Sequence, residues 1–460
     1  MYLNDNFERL ILLIVPKEGF MLKMILDKIK NGEMAKNSLI ALFLKVVGIG
    51  LLFALSLFLT NNFSADLVGQ YGFARSVLLI LGGFSVVGTE QSVIYYTGYL
   101  KSKNAVTNIK DIYFKSLKLI FWSCLILLIG IFLINEDFIN SSFEVNNPFA
   151  LIKMVIINLF LYSVMMLNIG VFRALDNITL SETYRNVLVY ILYFGMAYLL
   201  LFNHLEKWIV EAYLVSYAIL GLTSSVQIYF LFKKLGKINP AFKITTQKVF
   251  KISYPMALNT MTFFILQSVG VILLGKFDSF ETVAFYDTAV RVASLTALGT
   301  MSVSIAIAPK LAEDYSKNDF KELAKTYQSA IKMMTVLSIP ALIILLIFPG
   351  FVLGLFGSEY KSAKTALYIL VIAQFLTTFM GGAGTYMNMT GKQKILHRIL
   401  IFACVLNIAL NYWLIPVMGM NGSALAAGIS MVGWNILATV YIYKKDGISI
   451  FNRKNKNRFE

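Results

Sequence analysis

Charged residues are rare inside the apolar stretches of this chain, and the few that occur there are the side chains that could do chemistry. Lys45, Arg75 and Arg291 are cations within such stretches, and Asp287 stands four positions before Arg291, on the same helix face. A charge at the centre of a membrane-spanning helix costs roughly 2.5–3.5 kcal/mol, so such residues mark sites that bind or move ions. The excess of cations predicts a cavity that binds an anion.

Three other ionisable residues in these stretches are secondary candidates. Glu90 lies deep in the second stretch and, like Asp287, could exchange a proton or another cation; it could equally cap a helix end. Lys153 and Arg173 lie near the two ends of the fourth stretch, and Arg75 lies near the outer end of the second. For all three, reaching toward lipid headgroups explains the charge as well as the cavity does. For Asp287 and Arg291, a pair that only stabilises its helix is the alternative.

The elements that must position these residues are about twelve apolar stretches. A helix of roughly 20 residues crosses the ~30 Å hydrocarbon layer of a bilayer, so each stretch predicts one membrane-spanning helix. Hydropathy places them at 38–60, 73–98, 112–134, 149–172, 180–202, 208–232, 252–275, 283–308, 327–348, 362–387, 395–415 and 423–443. The predicted fold class is therefore an all-α membrane protein.

Composition supports this class and excludes others. The chain is 58% hydrophobic and 14% charged, with a mean hydropathy of +0.70, which lies outside the range of soluble domains. Cys124 and Cys404 both lie in apolar stretches, so neither a disulfide framework nor a cysteine metal site is expected. The net charge of +16 is explained by cytoplasmic loops rich in Lys and Arg, and no nucleic acid partner is expected.

Basic residues accumulate in every second gap between the stretches. The basic gaps lie around 101–115, 233–251, 310–332 and 392–398, while both terminal segments are also basic. The positive-inside rule therefore predicts that both termini face the cytoplasm and that the number of crossings is even.

The two halves of the chain form a repeat. A shift of 215 residues places 38–60 on 253–275, and Tyr71 then meets Tyr286. Because each half has an even number of crossings, the halves point the same way across the membrane. We expect two parallel six-helix lobes around a central cavity. The predicted divisions are an amino-terminal cytoplasmic segment, a first lobe, a cytoplasmic linker, a second lobe and a basic cytoplasmic tail, at 1–37, 38–232, 233–251, 252–443 and 444–460.

Several runs of sequence follow one another in a recognisable order. The most specific are LFGSEYKSA before the tenth stretch and LNYWLIPVMGMNGSALA between the last two, joined by VFRALDN, KISYPMALNTM and VAFYDTAVRVASL. In these runs the chain resembles the bacterial polysaccharide flippases, which handle O-antigen or capsule repeat units. Their superfamily also holds multidrug and toxin extrusion proteins and lipid II flippases. The resemblance covers nearly all of the chain after Lys36.

The resemblance implies a function and partners. It implies translocation of an oligosaccharide on undecaprenyl pyrophosphate from the inner to the outer leaflet of the bacterial plasma membrane, by alternating access of the two lobes. Lys45, Arg75 and Arg291 would meet the pyrophosphate, with Asp287 as a partner or proton site. A proton or sodium gradient would drive transport, without a cofactor. Membrane lipid and glycan polymerase or assembly proteins are the expected partners.

Two other functions stay open at this point. A multidrug extrusion antiporter of the same superfamily is the first, although its cavity would be expected to hold more carboxylates than cations. A membrane enzyme of glycan assembly is the second. It would need a polar catalytic loop, whereas the gaps opposite the basic ones are short, and His204 and His397 have no partner pattern for metal or nucleophile chemistry. No short motif identifies the glycan.

Overall fold

A computed structural model describes residues 33–239 and 244–449 of the chain. All regular secondary structure within these residues is helical, and eleven helices are long and apolar enough to cross a membrane. The expectations for residues 1–32 and 450–460, and for 240–243 in the linker, lie outside the described residues. The chain is a multi-pass membrane protein.

Ten of the eleven helices each correspond to one predicted stretch. In chain order they are α1 Glu33–Asn62, α2 Ala65–Ser102, α3 Val106–Leu133, α4 Pro148–Ala174, α5 Ile178–Phe202, α6 Glu206–Lys234, α7 Thr246–Phe277, α8 Phe280–Ser316, α9 Phe320–Ile347 and α10 Glu359–Phe379. Short helices Glu136–Asn140, Pro349–Gly354 and Ala383–Met389 lie in or beside the connections.

The eleventh helix, Gln393–Asp446, is two spans joined by a tight reversal. Gly419 has non-helical backbone angles of φ 54° and ψ −135°. The Asn407 side-chain amide donates a hydrogen bond of 3.2 Å to the carbonyl of Ala426, 19 positions later. In a continuous helix these residues would be about 28 Å apart. The spans α11 (393–418) and α12 (420–446) therefore run antiparallel, and the prediction of about twelve spans is confirmed.

The helix bounds repeat with the offset seen in the sequence. Adding 215 to the ends of α2 gives 280 and 317, and α8 runs over Phe280–Ser316. Subtracting 215 from the ends of α7 gives 31 and 62, close to the bounds of α1. We call α1–α6 the N lobe and α7–α12 the C lobe.

Two spans are interrupted, one of them unexpectedly. In α2 the helix breaks at Val87 and Gly88, which have φ values of 53° and 68°. A side chain at Gly88 would collide with the backbone of Ser253 in α7, so this turn is pressed against the other lobe. In the tenth stretch, whose glycines predict a place where the helix can bend, the break lies at Gly381 and Gly382, which have φ values of 68° and 63°.

The basic connections gather at one end of the helix bundle, which we call the basic side. Lys110 Nζ donates a hydrogen bond of 2.7 Å to the carbonyl of Leu235 in the linker. In the C lobe, Lys392 Nζ lies 2.9 Å from the carboxylate of Asp446 at the end of α12. The sequence predicts that this side is cytoplasmic.

The two lobes are joined at the opposite side of the bundle. The Asn61 amide donates to the carbonyl of Leu355 at 2.8 Å, and Lys276 Nζ donates to the carbonyl of Ser142 at 3.1 Å. One hydrophobic core there contains residues of both lobes, including Phe63, Phe280 and Phe356. On the basic side, α8 to α12 form a separate core made only of C-lobe residues, among them Leu311, Tyr327 and Ile442. The structure is thus closed at the opposite side.

Candidate functional site

Charged residues from both lobes meet between α2 and α8, at a place we call the inter-lobe cluster: Arg75, Asp287 and Arg291. Nη2 of Arg291 lies 2.5 Å from Oδ2 of Asp287, and Nη1 donates to the hydroxyl of Ser56 in α1 at 2.7 Å. The Arg291 guanidinium also lies 5.3 Å from the ring centroid of Tyr71. Three helices therefore hold Arg291 in place.

Small residues in α2 let α8 approach closely enough to form this cluster. A side chain at Gly69 would collide with the backbone of Phe280 at the start of α8. One turn later, a Cβ at Gly72 would lie 3.4 Å from Oδ2 of Asp287. This spacing places the carboxylate against the backbone of α2, one helical turn before Arg75.

Each arginine of the cluster keeps a buried N–H group without a partner. These groups are Nη1 of Arg75 and Nε of Arg291. Arg75 interacts electrostatically with both Arg291 and Asp287. Buried guanidinium donors without an acceptor are costly, and an anion with several oxygens would satisfy them.

Arg75 lies farther from the helix end than the sequence suggested. The hydropathy profile started the second span at residue 73, which put Arg75 near its outer end. The helix instead begins at Ala65, so Arg75 is about 15 Å along it. Hydropathy missed the first turns because Asp66 and Gln70 lower the average there, although Gln70 donates to Asp66 at 2.7 Å. Snorkelling to a headgroup no longer explains Arg75.

A second charged group, which we call the N-lobe cluster, lies on the basic side: Lys45, Glu90, Arg173, Glu182 and Arg185. Arg185 pairs with Glu90 at 3.4 Å, and Arg173 approaches Glu182 at 3.8 Å. Lys45 interacts electrostatically with Glu182, Arg185 and Arg173. Lys45, which we expected beside Arg75 and Arg291, therefore belongs to a different group of charges.

Local geometry in α1 and α5 builds the N-lobe cluster. Gly48 lets α1 touch the backbone of Asn186, which brings Lys45, one turn away, to α5. Residues Tyr184–Leu188 of α5 form a π-helical turn that carries Arg185. Such turns are rare and frequently occur at functional sites.

The remaining expected residues have clear positions. Glu90 lies in the first turn of the segment after the break in α2, and Arg173 lies in the last turn of α4. Lys153 has a different environment, since its Nζ lies 5.3 Å and 6.0 Å from the ring centroids of Phe132 and Phe149. Its contacts thus belong to neither cluster.

Sequence reasoning missed Glu182 and Arg185. Both fall at the predicted start of the fifth span, where charged residues ordinarily face water. The carboxylate of Glu182 is instead buried, and the amide of Asn186 donates to it at 2.8 Å. The sequence did contain a signal for them, because Glu182 and Arg185 are opposite charges three positions apart, which places them on one face of an apolar helix.

The described residues contain no group of three or more His, Cys, Asp or Glu side chains placed to hold a metal ion.

Beside the inter-lobe cluster, tyrosine rings pack against one another and form a continuous wall. The ring centroid of Tyr71 lies 4.9 Å from that of Tyr213, which lies 5.2 Å from that of Tyr217. The wall gives the inter-lobe cluster a rigid side of low polarity.

The chain is similar in sequence and in structure to proteins named as flippases or transporters. A family model named MatE matches residues 255–413, from α7 into α11. A probable low-salt glycan biosynthesis flippase of Haloferax volcanii, Agl15, is 27% identical over 204 residues, which are 44% of this chain and 43% of that protein. The chain therefore aligns with less than half of the length of this relative.

Two solved structures share the fold over almost their whole length. The lipid II flippase MurJ in an inward closed conformation has a TM-score of 0.71 at 13% identity, covering 90% of this chain and 89% of its own. An inward-facing multidrug resistance MATE family transporter of the MOP superfamily has a TM-score of 0.69 at 17% identity, covering 89% and 98%. At such identities the likeness concerns the fold alone.

Proposed function

We propose that this chain, whose residues 255–413 match the MatE family model, translocates an oligosaccharide linked to undecaprenyl pyrophosphate. The direction is from the inner to the outer leaflet of the bacterial plasma membrane, with both termini in the cytoplasm. The name of the Haloferax volcanii relative, a glycan biosynthesis flippase, supports this substrate class. The chain is a transporter, and the pyrophosphate-linked glycan is its proposed cargo.

One observation carries the proposal: two arginines from different lobes meet in a largely buried place, each with an unpartnered N–H group. A pyrophosphate carries about two negative charges and many acceptor oxygens, and arginine binds phosphate oxygens through paired N–H groups. The side chains of Arg291 and Asp287 are only 10% and 9% exposed, so this attraction is stronger than at a surface. The inter-lobe cluster thus has the charge and the free donors that a pyrophosphate requires.

The position of the cluster fits alternating access. Arg75 belongs to the N lobe and Arg291 to the C lobe, so relative motion of the lobes changes the distance between the guanidinium groups. The lobes are packed together at the opposite side, whereas α8 to α12 of the C lobe form a core of their own on the basic side. A lipid-linked substrate would enter from the basic side, with its polyprenyl chain remaining in the bilayer.

An exporter of cationic drugs is the second candidate, because a multidrug transporter shares the fold. Such a ligand would need a free carboxylate between the lobes. Asp287, Glu90 and Glu182 each have an arginine within 4 Å instead. The charge pattern therefore favours an anionic ligand.

The test is a double variant in a strain that displays the glycan. We expect Arg75→Gln/Arg291→Gln to abolish glycan display while the protein remains inserted in the membrane at normal levels. Lys153→Gln is the matched control, because it removes a span cation that lies over phenylalanine rings outside both clusters, and it should preserve display. Normal display by the double variant would refute the pyrophosphate site.

A reconstituted assay separates the two candidate cargoes. Proteoliposomes containing the purified chain should move an undecaprenyl-pyrophosphate-linked saccharide to the other leaflet, measured by its access to an added glycosidase. Efflux of an organic cation dye by the same vesicles, without saccharide movement, would instead establish the drug exporter.

A further inference from the structure

The N-lobe cluster has an arrangement that a structural ion-pair network does not require. Its carboxylates are the buried members: the side chains of Glu182 and Glu90 are 7% and 13% exposed. Their arginine partners, Arg173 and Arg185, are 48% and 36% exposed. The accessible surface of the cluster is therefore cationic, and the carboxylates beneath it orient the cations.

Charge balance in the cluster leaves a cation in excess. Lys45, Arg173 and Arg185 face only two carboxylates, and Nε of Arg185 is buried without a partner. Lys45 itself is partly exposed. A cationic surface with a free buried donor and buried carboxylates behind it is suited to an anion with several oxygens.

The repeat-related positions of the C lobe do not form a corresponding cluster. At the repeat offset of 215, its five positions correspond to Thr260, Ile305, Asn388, His397 and Leu400, none of which is Lys, Arg, Asp or Glu. The inter-lobe cluster needs both lobes, whereas the N-lobe cluster is complete within one. Motion of one lobe against the other therefore leaves it assembled.

The two clusters are too far apart to hold one headgroup at the same time. Arg75 lies before the break in α2 at Val87 and Gly88, and Glu90 lies after it; the unbroken helix from Arg75 to Val86 alone accounts for about 16 Å. Arg185 is paired with Glu90, so the arginine of the N-lobe cluster is also held beyond this break. A ligand that binds both must bind them in succession.

We propose that the N-lobe cluster is a separate docking site for the diphosphate of the lipid-linked substrate, occupied before the diphosphate reaches the inter-lobe cluster. This inference rests on the proposed function. The N-lobe cluster lies on the basic side and takes the headgroup while the opposite side is closed. The inter-lobe cluster then receives the headgroup as the lobes move.

The test uses the full chain in phosphatidylcholine nanodiscs, with farnesyl pyrophosphate as the probe. Lys45→Gln/Arg185→Gln should weaken probe binding by about tenfold or more, since each lost charged hydrogen bond has at least this effect. Lys317→Gln/Lys325→Gln removes two exposed lysines on the basic side of the C lobe and should leave the affinity unchanged. Equal affinity of the wild type and the Lys45/Arg185 variant would overturn the inference.

A second measurement does not depend on the stability of the double variant. Cys124 and Cys404 are buried, so a cysteine at position 45 offers a single accessible thiol. The probe should slow the reaction of Lys45→Cys with a maleimide at least severalfold. An unchanged reaction rate at saturating probe would contradict docking there. If the charge of Arg185 contacts the ligand, Arg185→Lys should retain more of the affinity for the probe than Arg185→Gln. If Arg185 has only a structural role, the two variants should lose the same affinity.

Two further arms identify the source of the phosphate groups and separate this inference from the proposed function. Inorganic pyrophosphate should compete with the probe, whereas phosphatidylglycerol in the nanodisc should not; competition by phosphatidylglycerol would make this a site for membrane lipid and refute the inference. Arg75→Gln/Arg291→Gln should still bind the probe but fail in transport. Normal transport by that variant would refute the inter-lobe site alone.

Discussion

Arg75 and Arg291 stand one position out of register in the two repeats, because residue 75 corresponds to residue 290, and they interact across the contact of α2 with α8. Two guanidinium groups at one place repel each other. Asp287 interacts with both and supplies the compensating charge in the present conformation. The carboxylate therefore occupies the role that we propose for the pyrophosphate of the substrate.

Asp287→Asn should destabilise the ligand-free protein and raise its affinity for an anionic ligand. Removing one member of a buried pair costs roughly 3–5 kcal/mol, because the remaining charge is left uncompensated. We expect a lower thermal unfolding temperature that added pyrophosphate partly restores. Glu313→Gln, which disrupts an exposed pair with Lys317, should unfold like the wild type. An unchanged unfolding temperature for Asp287→Asn would mean that the pair contributes little.

Gly48→Ala should separate α1 from α5. The added methyl group meets the backbone of Asn186, and overpacking of this kind costs roughly 1–3 kcal/mol. Gly50→Ala is the matched control in the same helix, since nothing lies within 4 Å of a Cβ there. The measurement is thermal unfolding of the two variants in the same detergent. Equal unfolding temperatures would show that the close contact of α1 with α5 is not retained in solution.

A cross-link between the lobes at the opposite side should hold the protein in the present conformation. Asn61 and Leu355 are joined by a hydrogen bond of 2.8 Å, so cysteines at these positions are within reach of a short thiol cross-linker. We expect the cross-linked Asn61→Cys/Leu355→Cys protein to bind farnesyl pyrophosphate and not to transport. Each single-cysteine variant, treated in the same way, should transport normally. Full transport by the cross-linked protein would exclude opening at this side.

Transport should depend on a proton or sodium gradient, with Asp287 and Glu90 as the coupling carboxylates that we propose. Each is paired with an arginine, so a substrate phosphate that takes over the arginine would release the carboxylate to bind a cation. Asp287→Asn or Glu90→Gln should remove the response to the gradient in proteoliposomes. Transport by the wild type at the same rate without either gradient would rule out coupling through both residues.

Much of the architecture follows from the sequence alone. Apolar length specified the number of spans, because a bilayer demands about 20 apolar residues for each crossing. The offset of 215 residues predicted which helices correspond, and the bounds of α2 and α8 confirm it. The family resemblance is confirmed by the MatE match and by the flippase-named relative. The sequence correctly separated α11 from α12, because Pro416, Gly419 and Gly422 interrupt the apolar pattern at the tight reversal between them.

The grouping of charges was decided by tertiary structure. Hydropathy identified Lys45, Arg75 and Arg291 as unusual, because a charge inside a long apolar stretch can be recognised from the neighbouring residues alone. Which of them meet depends on contacts between helices far apart in the chain. Gly69 and Gly72 bring α8 to Arg75, while Gly48 directs Lys45 to α5 instead.

The sequence by itself thus determined the class of the protein, its spans, its repeat and most of its unusual charges, because these follow from local composition. Only the tertiary structure separated the inter-lobe cluster from the N-lobe cluster and added Glu182 and Arg185 to the latter. The physical reason is that a single close approach of two helix backbones decides the partners of a long charged side chain. Such approaches depend on helix packing, which no short run of residues encodes.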